Sequence, residues 1–271
     1  MDETTNILTL DIGVLEERAN WLTKRLKLKE NQIKKMTQNQ PHILGRTNLA
    51  TKLDYLQTRL LLDDNSLRKL ILRAPHILPL SMEENIAPKL DWLQQRLDLD
   101  DAAVRKMILR QPYTLGCSIT ENIEPTLDWL QQHLGLDDAA VSKMIQQYPQ
   151  ILHLSIESNL EVKLEWLRQR LDLDAAAVGK MIQRSPAILG LSIDDNLQPK
   201  LEWIEQRLSL TDDGLSNIIQ KFPSIFSCNV NTNLEPTLNF YIGALGDERK
   251  ALTLVTQNPS LFGYSLENRL K

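Results

Sequence analysis

The 271-residue sequence has little of the chemistry that builds enzyme active sites and metal centres. It has two cysteines and four histidines, and the histidines lack the HxxxH or CxxC spacings that bring ligands onto one metal ion. No apolar run approaches the roughly 20 residues that span a bilayer. We therefore expect no metal, no cofactor and no membrane association.

The two cysteines are expected to be reduced, buried and inert. Cys117 and Cys228 both lie five residues after a proline, where related segments carry leucine. Helix layers about 9 Å apart would separate them by roughly 27 Å, which is far beyond the reach of a disulfide bond. Carboxylates are plentiful, but the recurring ones have a capping or surface-pairing explanation. The sequence therefore predicts no enzyme.

Instead, the chain repeats itself with a period of about 37 residues. Aromatic, proline and asparagine residues form three columns that keep this period in register. We interpret the aromatic column as core or inter-repeat packing rather than base stacking. The asparagine column is interpreted as a cap or loop hydrogen bonder rather than a reader of adenine edges. The aromatic column is Trp21, Tyr55, Trp92, Trp129, Trp166, Trp203 and Phe240, the proline column is Pro41, Pro75, Pro112, Pro149, Pro186, Pro223 and Pro259, and the asparagine column is Asn48, Asn85, Asn122, Asn159, Asn196 and Asn233.

Each copy contains the patterns of two helices and a short turn. Ile86, Leu90, Leu93 and Leu97 recur at steps of three and four, the spacing of one helix face. We name this segment helix A. A second periodic run, helix B, starts at an aspartate suited to an N-cap and ends before the column proline. The tail after that proline is too short for another helix and predicts a buried 3₁₀ turn.

The start of helix A has two possible structures. Ser81 and Glu84 have the spacing of a capping box. Pro88 is tolerated only if it lies in the first turn of a helix. The regular helix therefore begins near Ala87, or a short turn precedes it.

Because one helix pair of this size cannot bury its apolar face alone, neighbouring copies must stack. The sequence thus predicts an all-α fold: an α-solenoid of about six to seven helix–helix–3₁₀ repeats of 37 residues, without right-angle turns, forming a curved superhelix. We expect one domain over residues 1–271. Its expected repeat units are 10–47, 48–81, 82–118, 119–155, 156–192, 193–229 and 230–271.

The motifs N-[IL]-x-P-K-L-x-W-L and P-x-I-L, with an acidic start to helix B, resemble the mitochondrial transcription termination factor (mTERF) family. They repeat in phase about six times and cover about residues 10–271. The resemblance implies a superhelix that binds nucleic acid in mitochondria or chloroplasts. It also implies a role in transcription, its termination or RNA metabolism. This chain departs from the usual member in being acidic overall and in having unusually similar central repeats.

Basic residues form three further columns. On helix B, the sixth and second positions before the column proline are four residues apart and share a face away from the apolar stripe. A third column lies on helix A, four residues after the aromatic residue. Six rungs about 9 Å apart would span roughly 54 Å, or about 16 base pairs. The candidate nucleic-acid-binding residues are Lys35, Lys69, Arg73, Lys106, Arg110, Lys143, Lys180, Arg184 and Lys221 on helix B, and Arg25, Arg59, Arg96, Arg170 and Arg207 on helix A.

Two functions remain open. A monomer could grip the phosphates of double-stranded DNA or RNA, and residues 18–73 favour this with 13 Lys/Arg against 4 Asp/Glu. Alternatively, the chain is a protein-interaction scaffold without nucleic-acid binding. Residues 81–271 favour that reading because they carry 18 Lys/Arg against 26 Asp/Glu, an acidic surface for protein partners. The basic columns are also compatible with a solvent-exposed helix face that binds no ligand and is stabilised by i,i+4 side-chain pairs.

Overall fold

The computed structural model describes residues 11–45 and 48–264 of the chain. Within these ranges there are fourteen α-helices and no β-strand. The chain divides into two compact units, Met1–Pro125 and Thr126–Lys271. The all-α prediction is confirmed, whereas the assignment of residues 1–271 to one domain stays a prediction.

The first unit contains three helix pairs, and a 3₁₀ turn follows each pair. This is the order that the sequence predicts for each repeat. The A helices are α1 (Ile12–Arg25), α3 (Leu49–Arg59) and α5 (Ala87–Arg96), the B helices are α2 (Glu30–Asn39), α4 (Asp64–Arg73) and α6 (Asp101–Arg110), and the 3₁₀ turns are Pro41–Gly45, Pro75–Ile77 and Pro112–Gly116.

The second unit repeats the same order four times, which confirms the predicted α-solenoid of helix–helix–3₁₀ repeats. The A helices are α7 (Glu124–Leu134), α9 (Glu161–Leu171), α11 (Gln198–Arg207) and α13 (Glu235–Leu245), the B helices are α8 (Asp138–Gln147), α10 (Ala175–Arg184), α12 (Asp212–Lys221) and α14 (Glu248–Gln257), and the 3₁₀ turns are Pro149–His153, Pro186–Gly190, Pro223–Ser227 and Pro259–Gly263.

Three of the B helices, α6, α8 and α10, begin at the predicted aspartate caps. A carboxylate oxygen of Asp100 accepts a hydrogen bond of 2.7 Å from the backbone N–H of Ala103. Asp137 and Asp174 make the same contact three residues ahead, at 2.8 and 2.7 Å. Each cap satisfies one of the N–H groups that a helix leaves unpaired in its first turn. The capping aspartate therefore fixes where helix B starts.

Both structures considered for the start of helix A occur together. The regular helix α5 begins at Ala87, and a five-residue π turn, Met82–Ile86, precedes it. The Ser81 hydroxyl accepts a hydrogen bond of 3.1 Å from the N–H of Glu84. Pro88 falls at the start of the regular helix, where its missing N–H costs little. Equivalent π turns precede α7, α9, α11 and α13.

The core of each repeat is aliphatic. Leu90 and Leu93 of helix A and Val104 and Ile108 of helix B have no exposed surface. The 3₁₀ turn adds Leu115, which is also fully buried. At roughly 1.5–3 kcal/mol for each fully buried aliphatic side chain, these positions dominate the stability of a repeat.

The aromatic column packs at the edge of this core. Trp129 is 5% exposed, and Trp92, Trp166 and Trp203 are half-buried. Trp21, on the first helix, is the most exposed of the indoles at 36%. The interpretation of the column as packing agrees with these positions, because none of the four central indoles stands free in solvent.

Consecutive repeats also fit together through paired aromatic and glycine residues. Tyr148, just before its column proline, lies against Gly190 in the 3₁₀ turn of the next repeat. The two are so close that a Cβ at Gly190 would sit 1.9 Å from the phenol oxygen. Phe222 lies against Gly263 in the next pair of repeats, where a Cβ would sit 2.9 Å from the ring. An aromatic side chain in one copy therefore requires glycine in the next.

Candidate nucleic-acid interface

The lysine column of helix B lies on the exposed face of its helices. The side chains of this column lie on the helix face that is turned away from the buried stripe, and all five lysines are exposed. Their ammonium groups have no hydrogen bond or ion pair within residues 11–45 and 48–264. A lysine that is charged, exposed and unpaired is available to a phosphate without first breaking another contact. The column consists of Lys35, Lys69, Lys106, Lys143 and Lys180.

The second column of helix B is exposed as well, but its arginines have a structural contact. The Arg73 guanidinium donates to the carbonyls of Leu109 and Arg110 at 2.8 and 3.1 Å. Arg184 donates to the carbonyl of Gln220 at 3.1 Å. Each therefore caps the C-terminal end of the next helix B, where a cation favours the helix dipole. Arg110 and Lys221 are the other exposed basic members.

A groove runs beside this surface in the first unit. It has a volume of about 340 Å³ and lies between α4 and α6. Leu70, Leu72 and Leu109 form apolar walls, and Lys69 and Arg73 also line it. The groove thus combines an apolar wall with positive charge.

The basic column of helix A is placed differently, because it joins consecutive repeats. Arg59 forms ion pairs of 3.2 Å with Asp91 and 2.9 Å with Asp101 in the next repeat. Burial alone would lower the pKa of Arg59, but the hydrogen bonds and charges of these two carboxylates outweigh it and raise the pKa. The guanidinium therefore stays fully charged inside this network.

Three other arginines of the column make the same kind of bridge. Arg25 pairs with Asp54 at 2.9 Å, and Arg170 pairs with Glu205 at 2.6 Å. Arg207 pairs with Glu248 at 2.9 Å, and this hydrogen bond is the main cause of its raised pKa. Only 20–26% of each paired side chain, Arg59 included, is exposed. These arginines have partners within the solenoid, and Arg96 lies half-buried at the equivalent place.

A fourth basic column, which was not predicted from the sequence, is buried. Lys52, Lys89, Lys163 and Lys200 are 0–6% exposed although each sits in the repeated P-K-L-type motif. Burial lowers the pKa of Lys89 and Lys200, and it lowers that of Lys163 to about 8. The asparagine four residues earlier in each copy was the available signal, since i and i+4 side chains meet on a helix.

These lysines clamp each 3₁₀ turn to its own helix A. Lys89 Nζ donates to the carbonyl of Leu115 at 2.6 Å and to Asn85 Oδ1 at 3.1 Å. Lys163 donates likewise to the Leu189 carbonyl and to Asn159 Oδ1. We call this arrangement the lysine clamp. It gives Asn85, Asn159 and Asn196 the hydrogen-bonding role expected of the asparagine column.

The described residues contain neither a metal-binding cluster nor a membrane-spanning helix. Residues 11–45 and 48–264 hold no group of three or more His, Cys, Asp or Glu side chains that could bind a metal ion. None of the helices within these ranges combines the length and the apolarity needed to cross a bilayer. Cys117 and Cys228 are free thiols, half-buried rather than fully buried, and burial raises the pKa of each.

The model of the mTERF family matches residues 6–271, nearly the whole chain. No curated protein matches the chain significantly.

Proposed function

The chain belongs to the mTERF family, and from this premise we propose that it grips the phosphate backbone of nucleic acid with the exposed face of its B helices. Family membership indicates a nucleic-acid-binding factor of organellar gene expression. The finer proposal is a monomer that binds double-stranded DNA or RNA in a mitochondrion or chloroplast. It acts there in transcription, its termination or RNA metabolism.

The free lysine column supports this proposal most directly. Lys35, Lys69 and Lys106 recur on the same exposed face of α2, α4 and α6. Each lies within a regular helix, and none has an ion pair among the residues described. A periodic row of unpaired cations suits a periodic row of phosphates, which releases condensed counterions when it is neutralised. The half-buried arginines of helix A contribute by holding repeats together rather than by facing phosphate.

Charge along the chain supports the same face. Residues 18–73 carry 13 Lys/Arg and 4 Asp/Glu, a net charge of +9 that the overall −4 conceals. Three of these cations do not face solvent as free charges, because Lys52 is buried and Arg25 and Arg59 form ion pairs. The exposed lysines of α2 and α4, which are Lys34, Lys35 and Lys69, supply three of the ten cations that remain.

The test compares two triple variants of equal charge. Lys35, Lys69 and Lys106 are replaced with glutamine in one, and Lys24, Lys29 and Lys34 in the other. Fluorescence anisotropy measures affinity for a random duplex and a single strand over a range of salt concentrations. On duplex DNA the first variant should make the negative slope of log K against log salt shallower by up to about 2.7, because each phosphate contact contributes about −0.9.

The control variant should leave most of that slope intact. Equal losses from both variants would mean diffuse attraction to the basic region without a defined face. No binding by the unmodified chain at low salt would exclude the proposal. Circular dichroism checks that glutamine, a comparable helix former, preserves the helices.

The acidic remainder favours a second function. Residues 81–271 carry 18 Lys/Arg against 26 Asp/Glu, a net charge of −8. A protein-interaction scaffold is the function this favours, since solenoids present extended surfaces to partners. Failure of the duplex and single-strand titrations, with a folded chain, would leave this scaffold as the better account.

A further inference from the structure

The groove between α4 and α6 has apolar walls that phosphate binding does not explain. Leu72 and Leu109 stand at the same place in consecutive copies, three residues before the column proline, and both are half-buried. Their two helices carry the same pattern, R-K-[LM]-I-L-R, at residues 68–73 and 105–110. Leu70, the third leucine of the groove, is 1% exposed and belongs to the core. Leu72 and Leu109 therefore form the apolar surface that solvent reaches.

This apolar position is peculiar to these two copies, because the other five carry a polar residue there. Two of the polar residues bond within their own helix: Gln146 donates to the Ser142 hydroxyl at 3.2 Å, and Gln220 donates to that of Ser216 at 3.3 Å. The solenoid does not need leucine at this position in order to stack, so stacking alone does not explain the leucine pair. The five polar residues are Gln38, Gln146, Gln183, Gln220 and Thr256.

Cations border the two leucines. Lys69, three residues before Leu72, is exposed and lies on the same side of α4. The Arg73 guanidinium reaches from α4 to the end of α6, where it donates to the carbonyl of Leu109 at 2.8 Å. Lys106 stands three residues before Leu109, one helix layer or about 9 Å from Lys69. A strand whose phosphates lie on both lysines therefore passes the leucine that follows each of them.

We propose, on the premise that the B helices grip phosphate, that the groove between α4 and α6 receives a deoxyribose and makes the chain prefer DNA to RNA. Sugars and phosphates alternate along a strand, so a strand held at Lys69 and Lys106 brings a sugar between them. A nucleotide places apolar sugar carbons beside an anion, which matches a groove lined by leucines and by Lys69 and Arg73.

The 2′ position of the sugar carries the discrimination. Deoxyribose has a methylene group there, whereas ribose has a hydroxyl that both donates and accepts hydrogen bonds. Against Leu72 and Leu109 that hydroxyl loses its bonds to water, and neither side chain has a polar atom to replace them. Ser66, which also lines the groove, lies six residues before Leu72, about 9 Å along the helix axis. An apolar pocket rejects an added hydroxyl by about 100-fold, and we expect about tenfold from these half-buried leucines.

The experiment measures the affinity of the whole chain for three duplexes of one base sequence by fluorescence anisotropy. The duplexes are DNA, RNA and 2′-fluoro RNA, each of about 16 base pairs. The fluoro duplex keeps the A-form shape of RNA but has no 2′-hydroxyl. The unmodified chain should bind DNA about tenfold more tightly than RNA, and it should bind the fluoro duplex nearly as tightly as DNA. A fluoro duplex that binds as weakly as RNA would assign the preference to duplex shape and overturn the proposal.

A double variant tests the leucines themselves. Leu72→Gln combined with Leu109→Gln installs the residue found in four other copies and keeps every cation. It should reduce the ratio of DNA to RNA affinity from about ten to about two or less, because the amide offers partners to the 2′-hydroxyl. The salt dependence of DNA binding should stay the same. Val162→Gln is the matched control: Val162 is 51% exposed on α9, outside the groove, and its loss should leave the ratio unchanged.

The outcomes separate this inference from the function on which it rests. Equal affinity of the unmodified chain for DNA and RNA would overturn the sugar preference and leave the phosphate grip intact. A DNA preference that persists in the double variant would also overturn it, since the leucines would not be its cause. If the folded chain binds none of the three duplexes at low salt, the phosphate grip is wrong and the sugar preference falls with it.

Discussion

At the scale of single residues, position 190 requires glycine because Tyr148, one repeat earlier, packs against it. A Cβ there would lie 1.9 Å from the phenol oxygen of Tyr148 and 2.8 Å from its ring. Gly190→Ala should therefore lower the free energy of unfolding by about 1–3 kcal/mol, since the tyrosine has to move out of its packed position. Urea denaturation measures the change.

The same glycine can be tested in a double-mutant cycle. Tyr148→Ser introduces the residue found at the equivalent Ser185, which faces no glycine constraint because Ser227 follows it one copy later. In that background Gly190→Ala should cost less than about 0.5 kcal/mol. Gly243→Ala is a separate control: it has nothing within 4 Å of its Cβ and should stabilise α13 by up to about 1 kcal/mol. An unchanged cost of Gly190→Ala without the phenol would contradict this account.

The buried lysines predict an unusual dependence of stability on pH. Burial lowers the pKa of Lys163 from 10.5 to about 8, so between these values the unfolded chain holds a proton that the folded chain has released. Stability contributed by this group therefore rises with pH across that window. The unmodified chain should gain roughly 2 kcal/mol relative to Lys163→Met between about pH 7 and pH 9.5.

This difference is measured by urea denaturation of both proteins at each pH. Taking the difference removes the opposite contributions of Cys117, Cys228 and Tyr148, whose pKa values burial raises. A stability gap that stays constant over the pH range would show that Lys163 titrates normally.

The residue scale is also where the sequence predicted least. Lysine is seldom fully buried, so the sequence did not single out Lys89, beside Leu90, as a core residue. Its burial depends on the Leu115 carbonyl, 26 residues away, which lies within reach only after the 3₁₀ turn has folded back. Helical periodicity describes faces within one helix and carries no information about that contact.

At the scale of elements, the end of each helix A shares one backbone conformation. Leu61 is left-handed with φ of 49° and is 64% exposed, so its side chain gains little from burial there. Gly135 fills the equivalent place in α7's repeat with φ of 62°. Because a left-handed non-glycine residue costs about 1–2 kcal/mol, Leu61→Gly should raise the free energy of unfolding by about 1 kcal/mol.

Gly135→Ala provides the opposite control. Nothing lies within 4 Å of its Cβ, so a penalty there comes from the backbone alone. Thermal and urea unfolding should show a loss of about 1 kcal/mol. Two changes of the same sign would contradict a backbone origin for both.

Elements were the most predictable level. Asp100 and Pro112 bound helix B because a cap and a helix breaker act locally, through atoms a few residues away. The π turn Met82–Ile86 was not foreseen as such, since the capping residue Ser81 fits an α or a π first turn equally well. The choice between them depends on packing that sequence spacing does not record.

At the scale of the whole molecule, the arginines of helix A couple one repeat to the next. Stability of a solenoid is a sum of repeat and interface contributions, and Arg170 bridges to Glu205 at 2.6 Å with 22% of its side chain exposed. Arg170→Gln should lower the free energy of unfolding by about 1 kcal/mol, more than a fully exposed pair loses. High salt should reduce the difference.

Arg168 on the same helix is the matched control. Among the described residues its only ion pair is with Glu165, three residues before it, at 3.4 Å, and 44% of its side chain is exposed. Arg168→Gln should change the free energy of unfolding by less than about 0.5 kcal/mol. Equal losses at both positions in urea denaturation would argue against a special role for the inter-repeat bridge.

At this scale the sequence predicted the solenoid but did not separate its cations. Spacing places Lys106 and Arg59 alike on recurring columns. Lys106 has no ion pair in the described part of the chain, whereas Arg59 contacts Asp91 and Asp101. The distinction arises from the stacking of repeats, which brings carboxylates 32 and 42 residues away next to the arginine. The sequence shows which residues are charged, but it does not show which of them become neighbours in the folded chain.

The lysine clamp closes within a single copy, because Lys89 and the Leu115 carbonyl belong to the same period. A tandem duplication of one whole period therefore brings its own clamp with it and needs no compensating change in that contact. The Tyr148–Gly190 fit behaves in the opposite way, since it spans two copies and is lost when either neighbour is exchanged. As far as this contact is concerned, gain or loss of a repeat is least disruptive at joints such as Ser185 to Ser227, where no aromatic ring meets a glycine.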